Sequence, residues 1–225
     1  MSRRRFRPLV TLVASVLLAA AAVWLRQAEH DTHRGKPNAH RPPATPNISW
    51  TELSHASLPG DPADDGDSFV IRHSLGQNVL RLYFIDCPEK RRHQYNRERL
   101  AEQGAAFGGL TEADTLRVGR KARDFTLQLL QQRPFRIFTR WEPVYDDRRH
   151  YAHLMVTLAN GQERSLAELL VEAGLARIHT RGTDLPDGTR RAAFEHRLRT
   201  LEKSARLAGR GGWAELAQQN AAREE

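Results

Sequence analysis

The sequence predicts a small mixed domain, a five-stranded β-barrel with three helices, preceded by an N-terminal hydrophobic targeting or anchor segment. Three observations lead to this prediction. Short runs rich in β-branched and aromatic residues recur between turn signals, which is typical of strands. One segment with helical periodicity follows the third predicted strand, and further helical segments follow the fifth predicted strand. An uncharged run directly after an arginine-rich head opens the chain.

The N-terminal segment has the order of a targeting element. An uncharged run of 17 residues extends from Leu9 to Leu25 after four arginines. It is longer than the about 7 to 15 residues of a signal-peptide core and shorter than the roughly 20 that span a bilayer. Small residues at 20–22 offer a cleavage site, whereas Trp24 and Arg26 resemble an interfacial anchor. Residues 1–26 are therefore expected to be a signal peptide or a signal anchor, and both alternatives stay open.

The domain that follows is expected on the exported side, periplasmic or extracellular, because the arginine-rich head should stay in the cytoplasm. It is tethered if the anchor is kept and released if it is cleaved. Residues 27–47 form a Pro- and His-rich linker, residues 48–213 the folded domain, and residues 214–225 a polar tail.

The strands are predicted in chain order from local patterns. "ISWTELSHASL" is a possible first strand, and "SFVIRH" and "NVLRLYFID" form a hairpin across "SLGQ". "PFRIFTRWE" and "YAHLMVTL" are two further strands, the latter ending at the Asn160–Gly161 turn. Five short antiparallel strands with a helix after the third fit a closed barrel of the OB type.

The helices are predicted from capping signals and apolar faces. Thr111 and Asp114 are spaced as a capping box and open a helix that ends before Pro134. Ser165 and Glu168 open a short second helix, which Gly174 closes, and a third is expected at 189–208. The charged segment 90–110 is either a substrate-binding flap or a solvated loop.

Composition limits the possible functions. The formal net charge is +8, but residues 1–50 carry eight Lys/Arg against two Asp/Glu, so most of the excess lies outside the domain. A nucleic-acid function must therefore rest on local clusters. The single cysteine, Cys87, excludes an intramolecular disulfide and a zinc site built from cysteines. The scattered histidines lack the tight spacing of zinc ligands.

A cluster of charged residues surrounds the second strand of the hairpin. Asp65-Gly66-Asp67 precedes the hairpin, and Arg81, Asp86 and Glu89 lie in "RLYFIDCPE". Neighbouring strands can bring carboxylates together, as a hard cation requires, and Pro88 forces Cys87 into an extended conformation. Strict alternation places Arg81 and Asp86 on opposite faces, so a departure from alternation near Pro88 is needed.

Four separated blocks of the sequence together resemble the staphylococcal nuclease (thermonuclease) family: "DGDSFVIR", "LRLYFIDCPE", "DDRRHYAHLMV" and "LAELLVEAGLARIH". The resemblance covers residues 64–213 and implies a calcium-dependent phosphodiesterase on an OB-fold barrel. It implies that Asp67, Asp86 and the backbone carbonyl of Cys87 bind Ca2+. It further implies that Glu89 orients or deprotonates the attacking water and that Arg81 and Arg149 hold the phosphate.

The expected function is thus a calcium-dependent endonuclease, a hydrolase acting on DNA and RNA with little sequence preference. We expect a monomer attached to the membrane through its N-terminal segment. The chemistry agrees with these residues, because planar guanidinium groups match phosphate and stabilise developing charge. The alternative is a non-catalytic OB-fold module that binds nucleic acid or protein at the cell envelope.

Overall fold

The computed structural model describes residues 49–145 and 148–224. The predicted signal or anchor segment and the linker lie outside these residues. Within the described part of the chain, no helix is both long enough and apolar enough to cross a membrane.

The strands form one mixed sheet and one small two-stranded sheet. The strand order in the main sheet is β1-β5-β6-β3-β2, with β7 paired to β6, and β4 pairs with β8. The strands are β1 (Thr51–Glu52), β2 (Ser68–His73), β3 (Gly76–Leu82), β4 (Ile85–Asp86), β5 (Phe135–Pro143), β6 (Arg149–Thr157), β7 (Glu163–Ser165) and β8 (Arg177–Ile178).

The hairpin and the two later long strands occur where the sequence predicts them, but the closed antiparallel barrel does not form. Among residues 49–145 and 148–224 the sheet is open, and β3 and β6 run parallel, pairing Val79 with Arg149 and Arg81 with Tyr151. The predicted first strand shrinks to Thr51–Glu52 on the edge of β5. Parallel pairing joins strands far apart in sequence, so no local pattern indicates it.

The helices outnumber the three that the sequence predicts. They are α1 (Arg97–Ala106), α2 (Glu112–Gln132), α3 (Leu166–Glu172), α4 (Arg191–Leu207) and α5 (Gly212–Glu224). The N-cap of α2 is Thr111, whose hydroxyl accepts from the amide of Asp114 at 3.2 Å. Ser165 caps α3, and its amide donates to the Glu168 carboxylate at 3.3 Å. Both helix starts agree with the capping signals, which act locally.

Two segments differ from their predictions. The flap or solvated loop at 90–110 contains α1, and the segment expected as a polar tail is helical to Glu224. Helix α5 packs on α2 through Glu215, which pairs with Arg117 and Lys121. Trp213 and Leu216 of α5 also pack against the hydrophobic core, and the ring centroid of Trp213 lies 5.3 Å from that of Phe107.

The hydrophobic core lies between the main sheet and the helices. Residues of the hairpin and of α2 belong to the same buried cluster, which is close-packed as protein interiors are. Its fully buried members include Phe69, Ile71, Leu80, Ile85, Val118, Ala122, Ile137, Val156, Leu166, Leu170, Phe194 and Leu198.

Candidate active site

A kink in the second hairpin strand brings Arg81 and Asp86 together. Strand β3 ends at Leu82 and β4 begins at Ile85, with Phe84 between them at φ 74°. A bulky residue is strained there, and backbone hydrogen bonds hold it, from the Phe84 amide to Arg181 O and from the His179 amide to Phe84 O, both at 2.9 Å. The departure from alternation therefore lies upstream of Pro88. It places Nη2 of Arg81 2.6 Å from Oδ1 of Asp86.

Asp67 joins this pair from the start of the hairpin. Its Oδ2 accepts the Cys87 amide at 2.7 Å and lies 3.3 Å from Nη2 of Arg81. Two carboxylates, one just before β2 and one on β4, thus share one guanidinium group, which is itself almost fully buried. Charge-assisted contacts of this kind hold Arg81 in one orientation.

The turn that carries Glu89 is held by one buried side chain of α1. Gln103 donates through Nε2 to Oδ2 of Asp86 at 3.0 Å and to the carbonyl of Cys87 at 3.1 Å. Its Oε1 accepts the amide of Glu89 at 3.0 Å. One amide therefore links three of the four residues that follow Ile85, and it is inaccessible to solvent.

Two further arginines reach Asp86. Nη2 of Arg99 lies 2.5 Å from Oδ1 of Asp86, and its Nε lies 2.8 Å from Oε1 of Glu89. Nε of Arg177 donates to Oδ2 of Asp86 at 2.9 Å from strand β8. Asp86 thus faces three guanidinium groups and an amide, which compensates for the burial of its charge.

Helix α2 supports both loops of the site. A Cβ at Gly119 would overlap the carbonyl oxygens of Pro88 and Glu89, so the turn lies directly against the helix. On the next turns of α2, Thr126 donates to the carbonyl of Gly66 at 2.7 Å. The carboxylate loop and the Glu89 turn are therefore placed by the same rigid element.

These residues line a narrow cleft of about 90 Å³. Asp67, Arg81, Cys87, Glu89 and Arg149 all border it, so the structure brings five of the six predicted site residues to one opening. Asp86 lies beneath the cleft and is fully buried. The cleft is lined by Asp65, Asp67, Arg81, Cys87, Pro88, Glu89, Arg99 and Arg149.

The pKa values of Asp67 and Asp86 are shifted in opposite directions. Burial raises the pKa of Asp67, and the positive charge of Arg81 offsets this only in part. Burial would also raise the pKa of Asp86, but Arg99, Arg81, Gln103 and Arg177 together lower that pKa below its usual value. Burial raises the pKa of the Cys87 thiol well above its ordinary value, so this side chain stays protonated and packs in the core.

The arrangement does not fit a calcium ion on the three implied ligands. Both oxygens of Asp86 already accept from nitrogen donors, and the carbonyl of Cys87 accepts from Gln103. Calcium takes six to eight oxygen ligands, so at least one donor must leave before Asp86 can bind a cation. Within the described residues, no group of three or more His, Cys, Asp or Glu side chains is arranged to hold a metal.

Sequence reasoning missed Arg99, Gln103, Arg177 and Gly119. Arg99, Gln103 and Arg177 are brought to the site only by the tertiary fold. Their distance in sequence from "DCPE" follows no motif that would have predicted a contact. Gly119 does leave a signal, because a glycine in a helix interior costs about 1 kcal/mol relative to alanine. Such a glycine indicates that another part of the chain approaches the helix closely.

Comparison with known proteins identifies the family. Residues 79–215 match the family model described as staphylococcal nuclease homologue, and no curated protein matches the chain. The matched region contains Arg81, Asp86, Glu89 and Arg149, whereas Asp67 precedes it. Since this region is well over half of the chain, the protein belongs to the family of staphylococcal nuclease homologues.

Proposed function

We propose that the domain hydrolyses phosphodiester bonds in DNA and RNA with little sequence preference. The observation that carries this proposal is the cleft in which the Glu89 carboxylate lies beside Arg81 and Arg149. Membership of a nuclease-type family supports the same reaction class. A cleft that offers charges for phosphate but few surfaces for bases favours contacts that carry no sequence information.

Each side chain has a role that its position supports. Arg149 and Arg81 border the cleft and bind the nonbridging phosphate oxygens, and the carboxylates behind Arg81 keep its guanidinium group oriented. Hydrolysis builds negative charge on these oxygens, and preorganised guanidinium groups stabilise it. Glu89 takes the proton of the attacking water. It borders the cleft and lies outside the Arg81 contacts, and unlike Asp65, which also borders the cleft, it occupies the position to which the family resemblance assigns this role.

The calcium requirement that the family resemblance implies remains a prediction. The carboxylates have the right chemistry, but the donors around Asp86 must rearrange before this residue binds a cation. Export, membrane attachment through residues 1–26 and a monomeric state are likewise parts of the proposal. Fractionation of cells that express the full chain tests the first two, and light scattering tests the third.

Cleavage assays with the full chain test the proposed function. Labelled single-stranded DNA, double-stranded DNA and RNA are incubated in calcium and in excess chelator. Glu89→Gln should lower the cleavage rate about 10²- to 10⁴-fold, because the group that accepts the proton is lost. Glu98→Gln, an exposed acid on α1, is the matched control and should cleave like the wild type.

The outcomes separate the two function classes. Cleavage that needs calcium and is lost in Glu89→Gln supports the whole proposal. Cleavage that persists in chelator supports the nuclease and removes the calcium requirement. A folded wild-type protein that binds DNA in a gel-shift assay but never cleaves it would establish the non-catalytic binding module instead.

A further inference from the structure

A second pocket lies where α1, α4 and α5 meet. Its volume is about 240 Å³, compared with about 90 Å³ for the cleft, and the two share no lining residue among those described. Three of its side chains are cationic and one is acidic, so the pocket carries an excess of positive charge. This helical pocket is lined by Ala106, Arg199, Glu202, Lys203, Arg206 and Trp213.

The three cations of the helical pocket form a row on α4. Arg199, Lys203 and Arg206 are spaced four and three residues apart, which places them along one face of a helix. All three are exposed. In the part of the chain that the structure describes, neither Lys203 nor Arg206 forms a salt bridge, whereas Arg199 lies 3.5 Å from Glu195. An exposed row of positive charge with so little acidic compensation attracts phosphate groups.

The ring of Trp213 lies beside these cations and is held in place from the core. The guanidinium carbon of Arg206 lies 5.2 Å from the ring centroid, within the range of a cation–π contact. The centroid of the buried Phe107 ring lies 5.3 Å from that of Trp213. Phe107 also packs so closely on Gly212 that a Cβ there would overlap its ring. Aromatic rings and guanidinium planes are the groups on which unpaired bases stack.

The helical pocket and the cleft lie along the same face of α1. Arg99 lines the cleft and Ala106 lines the pocket, and residues seven apart share a helix face. Their separation along the helix axis is about 10 Å. Glu102 lies between them on this face, and its carboxylate is 4.0 Å from Arg177, which offsets part of its charge. A strand that enters the cleft can therefore reach the pocket within a few nucleotides.

We infer that the helical pocket binds one unpaired nucleotide of a single-stranded nucleic acid. The base stacks against the pair of Trp213 and Arg206, and Arg199 and Lys203 bind the phosphates on either side of it. The inference rests on the proposed function, which supplies nucleic acid as the ligand. Such contacts are indifferent to the identity of the base, because every base has a face that stacks. The pocket thus adds affinity for unpaired strands without adding sequence preference.

Fluorescence anisotropy of a labelled thymidine strand of about 12 nucleotides, a length within the site sizes of single-strand-binding folds, tests the inference. Every protein is the full chain with Glu89→Gln, so that the strand stays intact. Arg199→Gln combined with Lys203→Gln should raise the Kd about tenfold at low salt and reduce the slope of log Kd against log salt by about 1.4, since two phosphate contacts are lost. Arg72→Gln combined with Arg223→Gln removes two exposed charges outside the pocket and should change the Kd less than about twofold.

Trp213→Leu separates stacking from charge. It should raise the Kd for the single strand at least about fivefold and leave the salt slope unchanged, because no cation is removed. The Kd for a duplex of the same length should stay within about twofold, since its bases are already stacked on one another. Trp213→Phe keeps an aromatic ring and should restore most of the lost affinity.

Several results would overturn the inference. An unchanged Kd in the pocket variants, an equal loss in the Arg72 and Arg223 control, or equal losses for single strand and duplex in Trp213→Leu each contradicts it. Binding to vesicles of phosphatidylcholine and phosphatidylserine that depends on Arg199 and Lys203, with an unchanged strand Kd, would assign the pocket to a membrane surface instead.

Thermal melts verify that each variant is folded, and if Trp213→Leu does not fold, the salt slope of the Arg199 and Lys203 variant decides. The cleavage assay with the chain that retains Glu89 is a separate readout. A protein that never cleaves refutes the proposed function, while strand binding that depends on the helical pocket would still support the inference. Cleavage together with strand binding that ignores the pocket refutes only the inference.

Discussion

Gln103 connects the active-site turn to the rest of the molecule through a single buried amide. Its three hydrogen bonds reach Asp86, the carbonyl of Cys87 and the amide of Glu89. Gln103 itself is not among the residues that line the cleft. Gln103 is therefore a positioning residue, which acts on the reaction through the orientation of Glu89.

Gln103→Leu tests this role at the residue scale. Without the amide, the Glu89 turn loses its fixed position, and a displacement of about 1 Å in such a group can lower kcat about a hundredfold. KM for DNA should stay within about threefold of the wild type, since the phosphate-binding arginines are untouched. Steady-state kinetics well below the melting temperature measure both constants.

Gln128→Leu, an exposed site on α2, is the control for the added apolar side chain. Equal losses of kcat in both variants, or a kcat of Gln103→Leu equal to that of the wild type, would contradict the positioning role. Loss of three buried hydrogen bonds should also lower the free energy of unfolding by roughly 2 to 3 kcal/mol. Denaturant unfolding separates this loss of stability from the loss of rate.

At the scale of elements, the contact between α2 and the Glu89 turn depends on the absence of a side chain at Gly119. The helix periodicity and the Thr111 cap explain why α2 forms, but they do not explain a glycine in its interior. The turn of Pro88 and Glu89 does, because its carbonyl oxygens lie where a Cβ would stand. The glycine thus weakens the helix and allows the site to be assembled against it.

Gly119→Ala should therefore reverse the usual effect of this substitution. In an unhindered helix it stabilises by about 0.5 to 1 kcal/mol, whereas here the overlap with the turn should destabilise by about 1 to 3 kcal/mol. The cleavage rate should fall as well, because the turn moves with Glu89. Urea unfolding and cleavage assays measure the two effects, with Gln128→Ala as the exposed control on the same helix. A more stable, fully active Gly119→Ala protein would refute the close packing.

At the scale of the whole molecule, His153 connects three parts of the fold. His153 is on β6, and its ring centroid lies 6.5 Å from that of Trp50, which precedes β1. It lies 5.9 Å from the ring centroid of Phe194 on α4. Burial lowers the pKa of His153 to about 4. Folding therefore requires a neutral imidazole in the core.

The stability of the fold should fall with acidity for this reason. The unfolded chain binds a proton at His153 below about pH 6.5, but the folded protein does so only near pH 4. The contribution of the neutral His153 to the free energy of unfolding is therefore fully present above pH 6.5 and is lost as the pH falls from 6.5 towards 4. His153→Phe keeps a ring and removes the titration. Between pH 7.5 and 5, the wild type should lose about 2 kcal/mol more unfolding free energy than the variant. Denaturant unfolding at both values measures the difference, and equal losses would show that His153 is accessible to protons in the folded state.

The sequence by itself determined the features that local interactions control. Helix caps at Thr111 and Ser165, the hairpin of β2 and β3, and the positions of most strands follow from patterns within a few residues. The sequence also determined the family, because four blocks with the right residue types occur in the right order, and Asp67, Arg81, Cys87, Glu89 and Arg149 do meet at one cleft.

Only the tertiary structure decided how these residues are combined. The kink at Phe84 depends on hydrogen bonds to a segment about a hundred positions away, and it converts an alternating strand into a contact between Arg81 and Asp86. The parallel pairing of β3 with β6 and the approach of Arg99, Gln103 and Arg177 to Asp86 likewise join distant segments. Such contacts form because packing closes the chain on itself, so local periodicity contains no trace of them, and it is these contacts that decide which carboxylate oxygens a cation can reach.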